Sequence, residues 1–287
     1  DYMNMIYAVL GAVLFLISAP LLGGLIAGAD RILTARMQSR RGPPVLQPFY
    51  DIGKLWHKER VFTNPVEMIF TTGYLALIAF SGAILFAGGD LLLVVFALAL
   101  AHTFLILAAY AANAPYSTVG AEREMIGVMI AEPILILLAV GFFFVVGSFF
   151  VSDIFASAVS PVLYLPGVFL ALFAVLTLKL RKSPFDIATS HHAHQELVKG
   201  VTSSLAGRTL AKVEVAHWYE TVLILALLFL FFAGNPIIGV VVVVVCYFLE
   251  ILMDNLFPRV TWQMTVKSLW IATIILGVVN IAVIGVL

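Results

Sequence analysis

Eight stretches of about 20 apolar residues recur along this chain, each long enough to cross the hydrocarbon core of a bilayer as a helix. They run over roughly 5–29, 67–87, 91–112, 125–150, 162–180, 215–233, 236–253 and 265–287. A bilayer interior leaves backbone groups no water to bond, so the expected fold is an all-α polytopic membrane protein of about eight transmembrane helices in one domain spanning 1–287. Charged residues make up 11% of the chain, against about 25% in a soluble domain, so the chain belongs in lipid. The first stretch is too long for a signal-peptide core and has no basic region before it, so it reads as a helix that stays.

Charge falls unevenly between these stretches. All sixteen Lys and Arg lie in or beside alternate connections: 30–66, 113–124, 179–214 and the region between the last two helices. The connections around 88–90, 151–161 and 234–236 are short or nearly free of charge. Basic residues beside membrane helices mark the cytoplasmic side, so the expected topology puts these four connections on the cytoplasmic face of the cell membrane and both termini on the opposite face. Net charge is zero, which gives no indication of a nucleic-acid partner. The single cysteine, Cys246, rules out a disulfide framework and a thiolate-held cluster within this chain, so any redox centre has to belong to a partner.

Two cytoplasmic loops, 30–66 and 179–214, are long enough to suggest function. In the first, Arg31, Arg36, Gln38 and Arg40 precede a GPP breaker; Phe49, Ile52, Leu55 and Trp56 then recur at helical spacing beside Asp51, Lys54 and Glu59, as in a helix lying along the membrane surface. Arg123 stands in the short connection, and the second long loop carries Asp186 and Glu196. Mixed charge of this kind suits a protein-docking surface, although a basic loop resting on anionic headgroups has the same composition. His191, His192 and His194 look like a metal tract, but adjacent histidines on a helix point apart and no cysteine accompanies them; no metal site is expected.

Carboxylates at membrane depth cost at least about 2.5–3.5 kcal/mol and call for a reason. Glu132 lies inside the fourth stretch just before Pro133, His102 inside the third, and Glu250 at the end of the seventh. Glu214, His217 and Glu220, spaced three and three, share one face of the sixth. Buried groups of this kind form proton or ion relays, although those near helix ends can instead reach toward water.

The chain resembles the eight-helix heel subunit of respiratory complex I and its homologues in energy-converting membrane-bound hydrogenases. The matching residues are Arg31; Ala35, Arg36, Gln38, Arg40, Gly42 and Pro43; Leu46, Gln47 and Pro48; Asp51, Lys54, Leu55, Lys58 and Glu59. Gly120, Ala121 and Arg123 followed by Glu132, and Pro184, Phe185 and Asp186 followed by Glu196 and Leu197, continue the match. The resemblance implies a non-redox subunit of an oxidoreductase complex. Its long loops would anchor a cluster-bearing small subunit and a hydrogenase-like large subunit, beside antiporter-like and small membrane subunits. Iron–sulfur clusters and a nickel–iron site would sit on those partners, and the buried carboxylates would couple electron flow from ferredoxin to proton or sodium translocation. A shorter first loop and the His-rich run ATSHHAHQ depart from the complex I pattern and look like the membrane-bound hydrogenases or the related sulfane reductases. A quinone-reducing relative and a stand-alone ion transporter remain as alternatives.

Overall fold

A computed structural model describes residues 2–59, 64–157, 159–188 and 199–286. In order, the helices are α1 (Tyr2–Met37), α2 (Gln47–His57), α3 (Pro65–Phe86), α4 (Leu91–Ala111), α5 (Pro115–Val146), α6 (Val151–Ala156), α7 (Pro166–Lys179), α8 (Gly207–Leu230), α9 (Pro236–Leu256) and α10 (Trp262–Ala272). From α10 the chain continues through a π-helical stretch (Thr273–Val278) into α11 (Val279–Val286).

Among the described residues, seven helices, counting Trp262–Val286 as one, are long and apolar enough to cross a membrane. The stretch 162–180 is the exception: its helix, α7, has 14 residues and rises about 21 Å, short of the ~30 Å hydrocarbon core. Asn280 of α11 caps its first turn, accepting from the backbone N–H of Gly167 and Val168 and donating to the Tyr164 carbonyl. Backbone groups that would otherwise be orphaned at a helix start are thereby satisfied.

Three helices run beyond the apolar stretches. α1 continues to Met37, α5 starts at Pro115 and α8 starts at Gly207, so Arg31, Arg36, Arg123, Arg208 and Lys212 stand on helical turns rather than in loops. Hydropathy registers only the apolar part of a helix, and a polar extension solvates itself without breaking the backbone ladder.

α3 and α4 pack along their length behind the tight turn at Gly88–Asp90, where Asp90 caps α4 by accepting from Leu92 and Leu93 N–H. α8 lies against α1 and α3, α5 against α4 and α7, and the core is filled by Tyr74, Leu98, Leu135, Leu172 and Leu227. On α9, Ile237, Val241, Val244 and Phe248 face outward, as a lipid-facing surface requires. Cross-contacts gather the ends of α1, α7 and α9 with the starts of α5, α8 and α10 at one end of the bundle, called here the basic end.

Candidate functional site

α2 is the helix its spacing predicts, and it is docked on the bundle. Phe49 stacks edge-on against Trp218 of α8, at 5.1 Å between ring centroids, and fills the space left by Gly24 of α1. The Arg31–Asp51 ion pair, 2.8 Å, fastens α2 to the end of α1, and Gln47 bonds the other Asp51 oxygen at 2.9 Å. Burial pushes the Asp51 carboxyl upward, but the bonds from Arg31 and Gln47 and the nearby Lys54 charge outweigh it and hold it below its ordinary value. Gln38 donates to Asn255 of α9 and accepts from Arg40. Arg36, Arg40, Lys54 and Glu59 are exposed around this frame. Of the expected docking residues, Arg31 and Asp51 thus form an internal brace, while the exposed four remain available to a partner. Glu196, with His191, His192 and His194, lies outside the described residues.

Between α4, α5, α7 and α8 is a cavity of about 30 Å³, lined by Arg123, Glu124, Arg181, Lys179, Glu220 and His102 among others. Arg181 pairs with Glu124 at 3.1 Å. Burial works against the Arg181 charge, yet the surrounding acids, led by Glu124, outweigh it and hold the guanidinium above its ordinary value. Arg123 donates to the Ile187 carbonyl, and Asp186 pairs with Arg259 at 2.9 Å, so both expected docking residues help to shape the cavity's mouth.

Deeper in, Glu220 receives three neighbours from three helices: His102 Nε2 of α4 at 2.9 Å, the Tyr74 hydroxyl of α3 at 3.2 Å and Lys179 Nζ of α7 at 3.8 Å. His102, Glu220 and Tyr74 are nearly or wholly buried, and the ring of His217 lies edge-on to that of Tyr74. Each partner is needed here, since a buried carboxylate is tolerable only when charged or hydrogen-bonding groups surround it. The expected set His102, His217 and Glu220 is therefore brought together. Glu214 lies half-buried nearer the basic end, and Glu132 is half-buried on α5, outside the hydrogen bonds and ion pairs of the described residues. Glu250 belongs elsewhere: across α7 it accepts from Thr177 at 3.4 Å.

That second cluster also holds Lys182, 2.7 Å from Asp30 and 4.0 Å from Asp254, with its ammonium over the ring of Tyr247. The last residues of α7 and those just after it thus serve two polar groups, Lys179 toward Glu220 and Lys182 toward Asp30. The sequence puts Lys179 where the stretch 162–180 meets the loop 179–214 and Arg181 and Lys182 in that loop, as found, but does not single out Tyr74, Glu124 or Asp30. The available signal was a cation at the very end of an apolar stretch, where it can fold back into the bundle. Glu67, wholly buried in the first turn of α3, was also missed. Among the described residues, no three His, Cys, Asp or Glu side chains stand together as a metal-ligand set.

A family model described as NADH dehydrogenase matches residues 9–285. The chain belongs to that family. Hydrogenase-4 component C of Escherichia coli (strain K12) is 31% identical over 74% of this chain and 69% of that protein. Formate hydrogenlyase subunit 4 of the same organism is 27% identical over 91% of this chain and 95% of its own length. A chain in the structure of the membrane-bound sulfane sulfur reductase, an archaeal respiratory membrane complex, has the same fold, with a TM-score of 0.78 over 95% of this chain and 99% of that one, at 24% identity.

Proposed function

We propose that the chain is a membrane subunit of a hydrogenase-type, complex I-like oxidoreductase. The basic end seats a cluster-bearing small subunit and a hydrogenase-like large subunit, and the chain couples their electron transfer, from ferredoxin to protons, to the movement of protons or sodium ions. Iron–sulfur clusters and the nickel–iron site are assigned to those partners; antiporter-like subunits receive the coupled charge. The basic end faces the cytoplasm.

The observation that carries this reading is a pair of polar clusters that share one cavity: Arg181–Glu124 in its wall at the basic end, and Lys179, Glu220, His102 and Tyr74 leading from it into the helix bundle. A change of charge in an arm seated on Arg36, Arg40 and Lys54 is felt through such clusters, because burial weakens solvent screening. Relatedness to hydrogenase-4 component C and formate hydrogenlyase subunit 4 supports hydrogen as the product.

The test is to extract the tagged chain from its native membrane in mild detergent, identify the accompanying proteins and measure nickel and iron. Nickel and iron together with a hydrogenase-like subunit are expected. Iron without nickel would keep the seating role and shift the chemistry to sulfane or quinone reduction, whereas a chain that purifies alone and metal-free would overturn the proposal in favour of a stand-alone transporter.

A further inference from the structure

We infer that Lys179 is the positioning residue that decides whether His102 holds a proton, because its ammonium and a proton compete for the single in-plane site on His102 Nε2. The inference deepens the reading above and rests on it only in taking Glu220 and His102 as part of the ion path.

The hydrogen-bond chemistry around the imidazole leaves few arrangements. Nδ1 lies 2.8 Å from the Leu98 carbonyl, which can only accept, so Nδ1 carries a hydrogen in every state. Nε2 is then either bare and able to accept one hydrogen bond, or protonated and able to donate one. Two groups approach it: Glu220 Oε1 at 2.9 Å and Lys179 Nζ at 3.3 Å. A protonated Nε2 donates to Glu220 and excludes Lys179, because an ammonium has donors only. With Glu220 ionised, a bare Nε2 accepts from Lys179. Since Lys179 Nζ is also 3.8 Å from Glu220 Oε1, a small swing carries the ammonium from the imidazole to the carboxylate. Protonating Nε2 forms one N–H bond and breaks one O–H bond of a hydronium ion in the cavity that His102 lines, leaving water behind, while the ammonium keeps its three protons and changes acceptor.

Groups on every packed helix bear on this choice. From α3, the Tyr74 hydroxyl donates to Glu220 Oε2 and leaves Oε1 as the oxygen facing Nε2. His217 of α8 lies behind Tyr74. Glu124, which lines the cavity, and Glu132, further along α5, attract Lys179, and Arg181 opposes them. Lys179 therefore stands between two sets of acids. A shift of charge at the cavity mouth, where Arg181 holds Glu124, moves the ammonium and through it the proton on His102.

The experiment is nitrogen NMR of the resting complex carrying labelled histidine and lysine, with the His102 signal assigned by its loss in His102→Gln. At neutral pH the share of protonated Nε2 is expected to rise several-fold in Lys179→Met and to stay at its starting level in Lys179→Arg. An equal share in the native protein and Lys179→Met would overturn the inference. Native protein supplies a second readout that needs no variant: a through-space correlation between Lys179 Nζ and His102 Nε2 should be strong only in the population with bare Nε2, and equal strength in both populations would also overturn it. Ions moved per electron are then measured separately in Lys179→Met. If Nε2 responds while that ratio is unchanged, the proton switch stands and the assignment of the pair to the ion path falls.

Discussion

Glu220 and Asp51 are both paired carboxylates, and their surroundings give the two pairs very different weight. Glu220 is nearly buried and holds His102, Tyr74 and Lys179, whereas the Arg31–Asp51 side chains are 49% and 39% exposed. Glu220→Ala would leave the Lys179 cation buried without its carboxylate, which costs about 3–5 kcal/mol for a broken buried pair. Arg31→Ala removes an exposed pair and costs about 0–1 kcal/mol. Unfolding in mixed micelles titrated with a denaturing detergent should rank the two in that order; equal costs would mean that the Glu220 cluster is more hydrated than its burial implies. The brace at Asp51 also has a defined pH window. Its carboxyl is held below the ordinary 3.8, so the contribution of the pair is fully present above 3.8 and is lost only as the pH falls through the lowered value. Hydrogen exchange of the α2 amides should therefore be insensitive to this pair from neutral pH down to about 4 and rise below it; a rise beginning near pH 6 would assign the brace to another group.

At the level of helices, α2 is held by close approach more than by its charges. Gly24 and Gly28 are one helical turn apart on α1, with no Cβ to keep neighbours away, and the Phe49 ring and the Val45 carbonyl occupy that space. Gly24→Leu would drive a side chain into Phe49, and overpacking of this kind costs about 1–3 kcal/mol. The expected readout is faster tryptic cleavage after Lys54 and Lys58, and an unchanged rate would show that Arg31–Asp51 alone holds the helix. This region also shows how far the sequence could be read. The helical spacing of Phe49, Ile52, Leu55 and Trp56 was visible, because periodicity is a local property. The landing of Phe49 on Trp218 was not, because it depends on where α8 passes α1. The role of Lys179 escaped for a related reason: a residue where an apolar stretch overlaps the following loop reads equally as loop or helix, and only the packing of α7 against α8 turns it toward Glu220. His102, His217 and Glu220 could be found because an ionisable group inside an apolar run is conspicuous, whereas Tyr74 is inconspicuous among aromatic neighbours.

Across the whole molecule, the segregation of charge is a topological statement. Arg31 braces Asp51, Lys182 reaches Asp30, Arg259 reaches Asp186 and Arg208 reaches the Trp56 carbonyl, so cations from four separate stretches meet at one end. The opposite end is built from Asp90, Ser148 and Asp153, with Ser148 bonded to Asp153 at 2.6 Å. Cations beside membrane helices are retained on the cytoplasmic side, so the basic end should face the cytoplasm and the acidic end the exterior. Cys246 is the single cysteine and is 7% exposed, which gives a low background for labelling with a membrane-impermeant maleimide. Ser152→Cys, at an exposed site of the acidic end, should be labelled in right-side-out vesicles. Arg41→Cys, beside Arg40, should be labelled only in inverted vesicles, and more strongly after the peripheral arm has been washed off. A reversed pattern would invert the topology and remove the basis for seating a cytoplasmic arm on this end. Equal labelling of Arg41→Cys with the arm present and absent would keep the topology but show that the arm does not cover the exposed cations around Arg36 and Arg40, leaving those charges to lipid headgroups.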